Sequence, residues 1–269
     1  MNLPPGWYPR EKNKIADFLK PFEKDRVSQG GAKAVVAPHA GWYYSGKLAA
    51  LAIAALDPGA DTVAVIGGHL PPTMPLLAAF EEAVKTPLGS MAIDGELLGR
   101  LEKLISLSSD RYQDNTVEVL LPMAHYFFPG SKFLWLRFPA ELSSFEAGKI
   151  LSEAAGDLGR RLAVIASTDL THYGANYAFS PKGSGKAALE WVKNSNDAAF
   201  INAVLDGDPA MVLKRANEDQ SSCSPGAVLG ALGFSSQESK KPRLLKYQTS
   251  ADIDDTIPDS FVGYAAISL

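Results

Sequence analysis

Residues 33–46 are Lys33-Ala34-Val35-Val36-Ala37-Pro38-His39-Ala40-Gly41-Trp42-Tyr43-Tyr44-Ser45-Gly46. The apolar, β-branched run at their start is typical of a strand buried on both faces of a sheet. Pro38 lacks a backbone N–H, so it ends the pairing and leaves His39 on the turn after the strand. Ser45 is a residue type that caps helices, and we expect a helix from there to Leu56, before Asp57-Pro58-Gly59.

A second apolar run, Thr62 to Ile66, follows that helix. Strand, helix and strand in this order form a βαβ unit, for which a right-handed crossover is expected. Further strands are predicted at 132–138 and 162–166, a hairpin at 78–93, and a last strand pair at 243–249 and 261–269 around an acidic loop. Helices are predicted at 15–22, 94–107, 116–127, 145–158, 187–205, 209–215 and 226–233. The small residues of 226–233 suggest close packing against a neighbour. This order predicts an α/β fold: a single domain, residues 1–269, with a largely parallel central sheet flanked by helices.

The composition narrows the function classes. The 269 residues carry a net charge of -4 and contain no long basic run, which argues against a nucleic-acid partner. The single cysteine excludes an internal disulfide and fits a reducing compartment. Apolar stretches are far shorter than the roughly 20 residues that span a bilayer, and the N-terminus has no secretory signal pattern. We therefore expect a cytoplasmic protein with neither a membrane nor a nucleic-acid partner.

Three of the four histidines follow predicted strands. His39 and His69 come after the two strands of the βαβ unit, and His172 follows the strand at 162–166. Because the carboxyl ends of parallel strands open into one crevice, these side chains could converge there as metal ligands or acid–base groups. Cys223 is the third candidate ligand, since the nearby helix start would favour its thiolate. Two histidines and a cysteine would leave coordination positions open for water or substrate.

Each candidate ligand also has a purely structural explanation. A histidine at a strand end often only makes hydrogen bonds, and a lone cysteine is often an inert, buried, small apolar residue. Several histidines in the same kind of position favour a site over these explanations.

Asp169 and His172 form a second cluster, in Ser167-Thr168-Asp169-Leu170-Thr171-His172-Tyr173-Gly174. An acid beside an imidazole can fix its tautomer, so His172 is a candidate general base oriented by Asp169, although Asp169 could instead cap a turn. A serine hydrolase is disfavoured because no Gly-x-Ser-x-Gly motif occurs. Glu118 could lie on the pocket side of its helix, but an exposed position is the default expectation for a helical glutamate, and we interpret His125 as a packing residue.

The chain resembles the Memo family, whose bacterial and archaeal members are called AmmeMemoRadiSam system protein B. The resemblance covers nearly the whole sequence and rests on an ordered set of segments: Pro5-Gly6-Trp7-Tyr8-Pro9, the stretch 37–46 quoted above, Glu118-Val119-Leu120-Leu121-Pro122, the stretch 167–174, Tyr247-Gln248-Thr249-Ser250-Ala251-Asp252 and Val262-Gly263-Tyr264-Ala265. It implies an α/β fold similar to class III extradiol dioxygenases, which use non-haem Fe(II). Carried over by position, it implies His39, His69 and Cys223 as metal ligands, with Asp169 and His172 lining the pocket.

Three positions depart from the family pattern. Asp114-Asn115 stands where the family usually has Glu-His, which removes an imidazole. His69 follows Gly67-Gly68 instead of the common Gly-Pro-x form, and Ser224 follows Cys223 in place of the usual glycine. The ligand set is retained, while the residues around it differ.

Three functions remain open from the sequence. The leading hypothesis is a metal-dependent oxidoreductase of dioxygenase ancestry, with Fe(II) favoured and copper or zinc as alternatives because thiolate and imidazole suit all three. The second is a non-enzymatic protein that binds a peptide or small molecule in the same pocket, with Trp42, Tyr43 and Tyr44 as groove residues. The third is a hydrolase in which Zn²⁺ activates water.

Overall fold

The computed structural model describes residues 3–29, 31–238, 240–253 and 256–269. The strands are β1 (Ala34–Ala37), β2 (Thr62–Gly67), β3 (Leu77–Ala78), β4 (Ala83–Thr86), β5 (Gly89–Ala92), β6 (Ser108–Ser109), β7 (Lys132–Arg137), β8 (Leu162–Ser167), β9 (His172–Gly174), β10 (Arg243–Thr249) and β11 (Ser260–Ser268). The helices are α1 (Lys12–Leu19), α2 (Glu23–Gln29), α3 (Trp42–Ala54), α4 (Gly95–Glu102), α5 (Asn115–Glu118), α6 (Leu121–Phe127), α7 (Ser143–Asp157), α8 (Gly185–Trp191), α9 (Asp197–Leu205), α10 (Pro209–Asp219) and α11 (Pro225–Ser235).

One mixed sheet organises the chain, in the order β10-β11-β1-β8-β2-β7-β3-β6. Its four central strands, β1, β8, β2 and β7, are parallel, and β11 and β3 pair with them antiparallel on either side. Residues of β1, β2 and β8 are all buried, as the unbroken apolar runs of their sequences require for strands covered on both faces. The predicted α/β class with a largely parallel sheet is therefore confirmed.

The predicted βαβ unit needs two corrections. Its strands are not neighbours, because β8 lies between β1 and β2 and pairs with both. The helix begins at Trp42, not near Ser45, since Gly41 is its N-cap and the Ser45 hydroxyl donates to the Ala40 carbonyl from inside the helix. The Trp42 indole is buried and donates to the Val119 carbonyl, which draws the first turn of the helix into the core.

The single helix predicted at 116–127 is wrong. The chain forms two short helices, α5 and α6, and Pro122 lies in the first turn of α6. Proline is well tolerated there because the first N–H groups of a helix have no partner within it. The apolar periodicity indicated the buried face correctly but did not show the break.

The expectation that Glu118 is exposed is also wrong. Its side chain is buried and accepts hydrogen bonds from the Leu3 backbone N–H (3.0 Å) and the Tyr8 hydroxyl (2.7 Å). A carboxylate can be buried when donors satisfy its oxygens, and here the donors come from the N-terminal segment. Glu118 thus attaches that segment to the body of the protein.

Helix α11 confirms the close packing expected from its small residues. A Cβ added at Gly230 would contact the Phe138 ring, and one added at Gly148 of α7 would overlap the Gly230 carbonyl oxygen. Glycines therefore let the backbones of α7 and α11 approach directly. The first turn of α11 is held equally tightly, because a Cβ at Gly226 would overlap the Pro139 carbonyl oxygen.

The remaining predicted helices and strands are present with shifted bounds. The predicted hairpin is β4 and β5, while residues 77–78 join the main sheet as β3. β10 and β11 pair antiparallel as expected, and residues 254 and 255 of the acidic loop between them lie outside the described residues. A π-helical turn at Val192–Asn196 interrupts the helical region predicted at 187–205. Within the described ranges, no helix is both long and apolar enough to cross a bilayer.

Candidate metal centre

The candidate ligands lie at the carboxyl edge of the central sheet. His39 follows β1 and His69 follows β2, and the end of β8 lies between them. His69 has a positive φ of 57°, and the chain reaches it through Gly67 and Gly68. A Cβ at Gly68 would overlap the side chain of Ser224, so a glycine there lets the turn pack beside Cys223. This bend brings His69 to His39 although their strands are not adjacent.

The three candidate ligands converge on one point. One ligand atom from each of His39, His69 and Cys223 lies within 4.8 Å of the others. The Cys223 Sγ atom is 3.3 Å from His39 Nε2, and the two imidazole rings are perpendicular with centroids 4.9 Å apart. Two imidazole nitrogens and a thiol in such an arrangement can hold a metal ion with positions left free. The structure therefore brings together the set that the resemblance implies.

His39 is the most buried of the three ligands. Its Nδ1 atom is 2.8 Å from the Ser167 hydroxyl, and its backbone N–H donates to Asp169 Oδ1 at 2.7 Å. Burial lowers the pKa of its imidazole, but the charges of Asp169 and Cys223 outweigh it and raise the pKa. The ring therefore favours its positive form beside the thiol.

Cys223 precedes α11, whose N-cap is Ser224. Burial alone would raise the pKa of its thiol, yet the positive charge of His39 and the hydrogen bonds from His39 and His69 hold the pKa well below the usual range. The low pKa predicted from the nearby helix start is present, and its main source is the two imidazoles. The thiolate is the form that binds metals.

His69 is oriented by one of the residues that depart from the family pattern. Its Nδ1 atom lies 2.9 Å from Asp114 Oδ2. Burial lowers the pKa of the His69 imidazole, but the hydrogen bonds to Asp114 and Cys223 prevail and raise it to about 10. The same pairing, with Arg137, holds the pKa of the Asp114 carboxyl well below its usual range despite desolvation. Sequence reasoning singled out Asp114 only as a departure and missed this role.

Asp169 and His172 do not form the pair that the sequence suggested. Asp169 instead accepts a hydrogen bond from the His39 backbone N–H, and burial raises the pKa of the Asp169 carboxyl. The His172 Nδ1 atom instead lies 3.1 Å from the Leu170 carbonyl oxygen, so Nδ1 donates and Nε2 is left as the free nitrogen. The His172 ring also packs edge-on against Tyr177, with centroids 4.9 Å apart. Among the hydrogen bonds of the described residues, none joins Asp169 to His172, although their charges interact; the contacts that orient the His172 ring are those with the Leu170 carbonyl and Tyr177.

A cleft of about 610 Å³ opens above the candidate ligands. It is lined by His39, His69, Asp169 and His172, and also by residues that sequence reasoning did not assign to a site: Trp7, Asn115, Asn176, Tyr177 and Ser260. Tyr44 and Tyr264 also line it. The signal for Tyr264 was its place in the segment Val262-Gly263-Tyr264-Ala265, which resembles the family, whereas nothing in the sequence pointed to Tyr177.

Trp42, Tyr43 and His125 do not line this cleft. Trp42 is buried, and Tyr43 is 68% exposed on a separate surface groove, so of the three aromatic residues proposed for a groove Tyr44 alone lines the cleft. His125 is outside the cluster, with its Nδ1 atom 2.7 Å from the Thr86 hydroxyl.

The fold and the cluster define a class: an α/β protein that presents two histidines and a cysteine, spaced for a metal ion, at the carboxyl edge of a parallel sheet. The chain belongs to the Memo-like protein family, whose sequence model matches residues 4–268. It is 32% identical over 281 residues to a MEMO1 family protein of Pyrococcus abyssi, covering 97% of this chain and 95% of that protein. A MEMO1 family protein of Pyrococcus furiosus is 30% identical, with the same coverage.

A solved structure supports the fold. The crystal structure of the uncharacterized protein JW3007 from Escherichia coli K12 matches with a TM-score of 0.54 and 13% identity, over 89% of this chain and all of that chain. At this identity, the likeness shows the fold alone.

Proposed function

We propose that this protein is a metal-dependent oxidoreductase with a non-haem Fe(II) centre, acting on a small molecule in the cleft. The observation that carries the proposal is the convergence of one atom each from His39, His69 and Cys223 within 4.8 Å, beside an open cleft that the two histidines line. The family resemblance to extradiol dioxygenases favours iron among the ions that such a donor set accepts.

The residues present fit a metal ion. The Cys223 thiol has a lowered pKa, which favours the thiolate needed for coordination. Both imidazoles have one nitrogen engaged by a neighbouring side chain and the other directed to the thiol side. Thiolate and imidazole together suit iron, copper and zinc, and affinity order alone favours copper. When bound, the ion would supply redox or Lewis-acid chemistry at its open positions.

Other residues of the cleft would prepare the substrate. His172 keeps Nε2 free while Nδ1 is held by Leu170, so it can accept a proton from a bound molecule. Tyr177 packs against the His172 ring and lines the same wall of the cleft. Asp169 acts indirectly, by holding the His39 backbone.

The first experiment is elemental analysis of anaerobically purified protein beside a Cys223→Ser variant. Near-stoichiometric iron or copper that is lost in the variant would support the redox centre and justify screening catechol-like substrates under oxygen. Stoichiometric zinc would favour hydrolysis instead. Protein that is free of metal and also refuses added Fe(II), copper and zinc would overturn the proposal.

A second candidate function is a binding module without catalysis, which the aromatic lining of the cleft favours. Trp7, Tyr44 and Tyr177 surround polar side chains there, an arrangement that suits a peptide or a flat small molecule. The discriminator is metal dependence. A binding module should keep its ligand after chelation, whereas an oxidoreductase should lose activity on chelation and regain it with Fe(II).

A further inference from the structure

Hydrogen bonding around His39 determines which ring nitrogen keeps its proton when the imidazole is neutral, the form that can bind a metal. Ser167 has one hydroxyl proton, and this proton is donated to the Thr116 carbonyl oxygen, which can only accept. The Ser167 oxygen must therefore accept a hydrogen bond from His39 Nδ1. Nδ1 is protonated, and Nε2 is the nitrogen that faces the Cys223 sulfur at 3.3 Å.

The same reasoning applies to His69. An ionised carboxylate only accepts hydrogen bonds, so Asp114 Oδ2 requires that His69 Nδ1 donate. One ligand nitrogen of His69 lies within 4.8 Å of Cys223 Sγ, and since Nδ1 is held by Asp114 we infer that this nitrogen is Nε2. In their neutral, metal-binding forms both candidate ligands would thus have the same tautomer, although their partners are chemically different.

Three consecutive residues provide these contacts. Asp114 accepts from His69, the Asn115 amide donates to the His39 carbonyl oxygen at 3.1 Å, and the Thr116 carbonyl accepts from Ser167. Thr116 further links the two sides, because its N–H and hydroxyl donate to Asp114 Oδ1 while its hydroxyl oxygen accepts from the Gly68 N–H. The turn at 114–116 therefore touches both histidines and the backbone that precedes His69.

The Arg137 side chain holds this turn in place. Its side chain is 3% exposed; it donates twice to the Gly68 carbonyl oxygen (2.8 and 3.0 Å) and lies 3.4 Å from Asp114 Oδ2. On its other side it pairs with Asp110, which also accepts from the Trp135 indole. One guanidinium thus holds both the backbone before His69 and the carboxylate on its ring.

We propose that Asp114-Asn115-Thr116, supported by Arg137, is the positioning segment of the metal centre. It holds Nδ1 of both His39 and His69 as a donor, so that both Nε2 atoms are presented to the same ion. This inference rests on the proposed metal binding and adds to it the residues that set metal affinity. Outer partners of this kind typically change metal affinity by about 10- to 100-fold when they are removed.

The test measures zinc affinity by competition with a chelator, with Zn²⁺ as a diamagnetic probe. The variants are Asp114→Asn and Ser167→Ala, both with all three ligands intact. Asparagine has one oxygen where the carboxylate uses two, so an amide N–H would face either the His69 Nδ1–H or the Thr116 N–H. We expect each variant to bind Zn²⁺ about 10- to 100-fold more weakly than the wild type.

The chain offers a matched control for each variant. Asp94 is a buried carboxylate that accepts from Thr62, from the Leu97 N–H and from Arg160 at the opposite end of β2. Asp94→Asn should leave zinc affinity unchanged. Ser144 donates to the Pro139 carbonyl from a buried position, and Ser144→Ala is the counterpart of Ser167→Ala.

A second readout separates positioning from general loss of structure. In zinc-loaded protein with nitrogen-15 histidine, Nδ1 of both ligands should give the signal of a protonated nitrogen. Asp114→Asn should move the His69 signal and Ser167→Ala the His39 signal.

Two results would overturn the positioning segment alone: folded variants with zinc affinity within twofold of the wild type, or zinc-loaded wild-type protein in which Nε2 is protonated and Nδ1 is not. Wild-type protein that binds neither Zn²⁺, Fe(II) nor copper would instead overturn the metal centre, and the positioning role with it.

Discussion

The Sγ atom of Cys223 lies 3.3 Å from Nε2 of His39, although 184 positions separate the two residues in the chain. His39 is buried and Cys223 is half-buried, so each charge stabilises the other more than it would on a fully exposed surface. The lowered pKa of the thiol and the raised pKa of the imidazole favour a thiolate next to an imidazolium.

The first prediction concerns the thiol in metal-free protein. Because His39 and His69 lower its pKa, the Cys223 thiolate should persist at pH values at which an ordinary thiol is protonated. An ultraviolet titration of the thiolate absorbance should show this directly. In His39→Gln the positive charge of the imidazole is absent, so the pKa of the thiol should rise. On lowering the pH, the thiolate absorbance of this variant should therefore disappear at a higher pH than that of the wild type. Equal titration curves for the two proteins would contradict the pairing.

The second concerns metal content. His39→Ala should abolish stoichiometric metal binding, because a centre with three protein ligands loses one of them. His125→Ala is the matched control, since His125 is bonded to Thr86 outside the cluster, and it should keep the full metal content. Elemental analysis of both variants checks this prediction. Unchanged metal in His39→Ala would remove that residue from the ligand set.

The third concerns the pH dependence of stability. Asp197 is buried behind the His172 strand, where it accepts from the Thr171 N–H and the Tyr247 hydroxyl, and desolvation raises its pKa from 3.8 to about 6. A raised carboxyl pKa means that the folded state prefers the neutral acid. The contribution of Asp197 to stability is therefore full below pH 3.8 and is lost as the pH rises toward 6.

Asp197→Asn keeps the neutral shape and removes this dependence. Relative to wild type, its free energy of unfolding should increase by up to about 3 kcal/mol between acid and neutral pH, the equivalent of the raised pKa. Urea unfolding on both sides of the transition measures it. A constant difference between the two proteins would show that folding does not raise the pKa of Asp197.

The fourth concerns the contact between α7 and α11. Gly148→Ala would drive a methyl group into the Gly230 carbonyl oxygen, so the helices must separate. We expect a loss of about 1–3 kcal/mol or more in the free energy of unfolding. Gly156→Ala is on the same helix with nothing near its added Cβ, and it should gain about 0.5–1 kcal/mol. Equal effects of the two substitutions in urea unfolding would contradict the tight packing.

Much of the fold was readable from local patterns. The runs at Ala34–Ala37, Thr62–Gly67 and Leu162–Ser167 are apolar throughout because both faces of each strand are covered, and they were predicted almost to the residue. The order of these strands in the sheet could not be predicted from the sequence. The placement of β8 between β1 and β2 depends on pairing between segments far apart in the chain, and local patterns carry no such information.

The ligand candidates were also visible in the sequence, whereas their partners were not. His39 and His69 end buried strands, and such strands open into one crevice whatever their order. Sequence reasoning missed that Asp114 binds the His69 ring and that Asp169 accepts from the His39 backbone N–H, not from the His172 ring. It also missed that Glu118 is buried. In each case a carboxylate is bound by donors from a distant segment, so its burial or pairing has no local signature.

The amino-acid sequence by itself therefore determined the fold class, the family and the identity of the candidate ligands, because periodicity and strand-end motifs are local properties. The tertiary structure alone decided the proximity of Cys223 to His39, the tautomers of both imidazoles and the hydrogen bond that orients His172. Those features arise from hydrogen bonds and charges that act over a few ångströms, and folding is what brings their partners within that range.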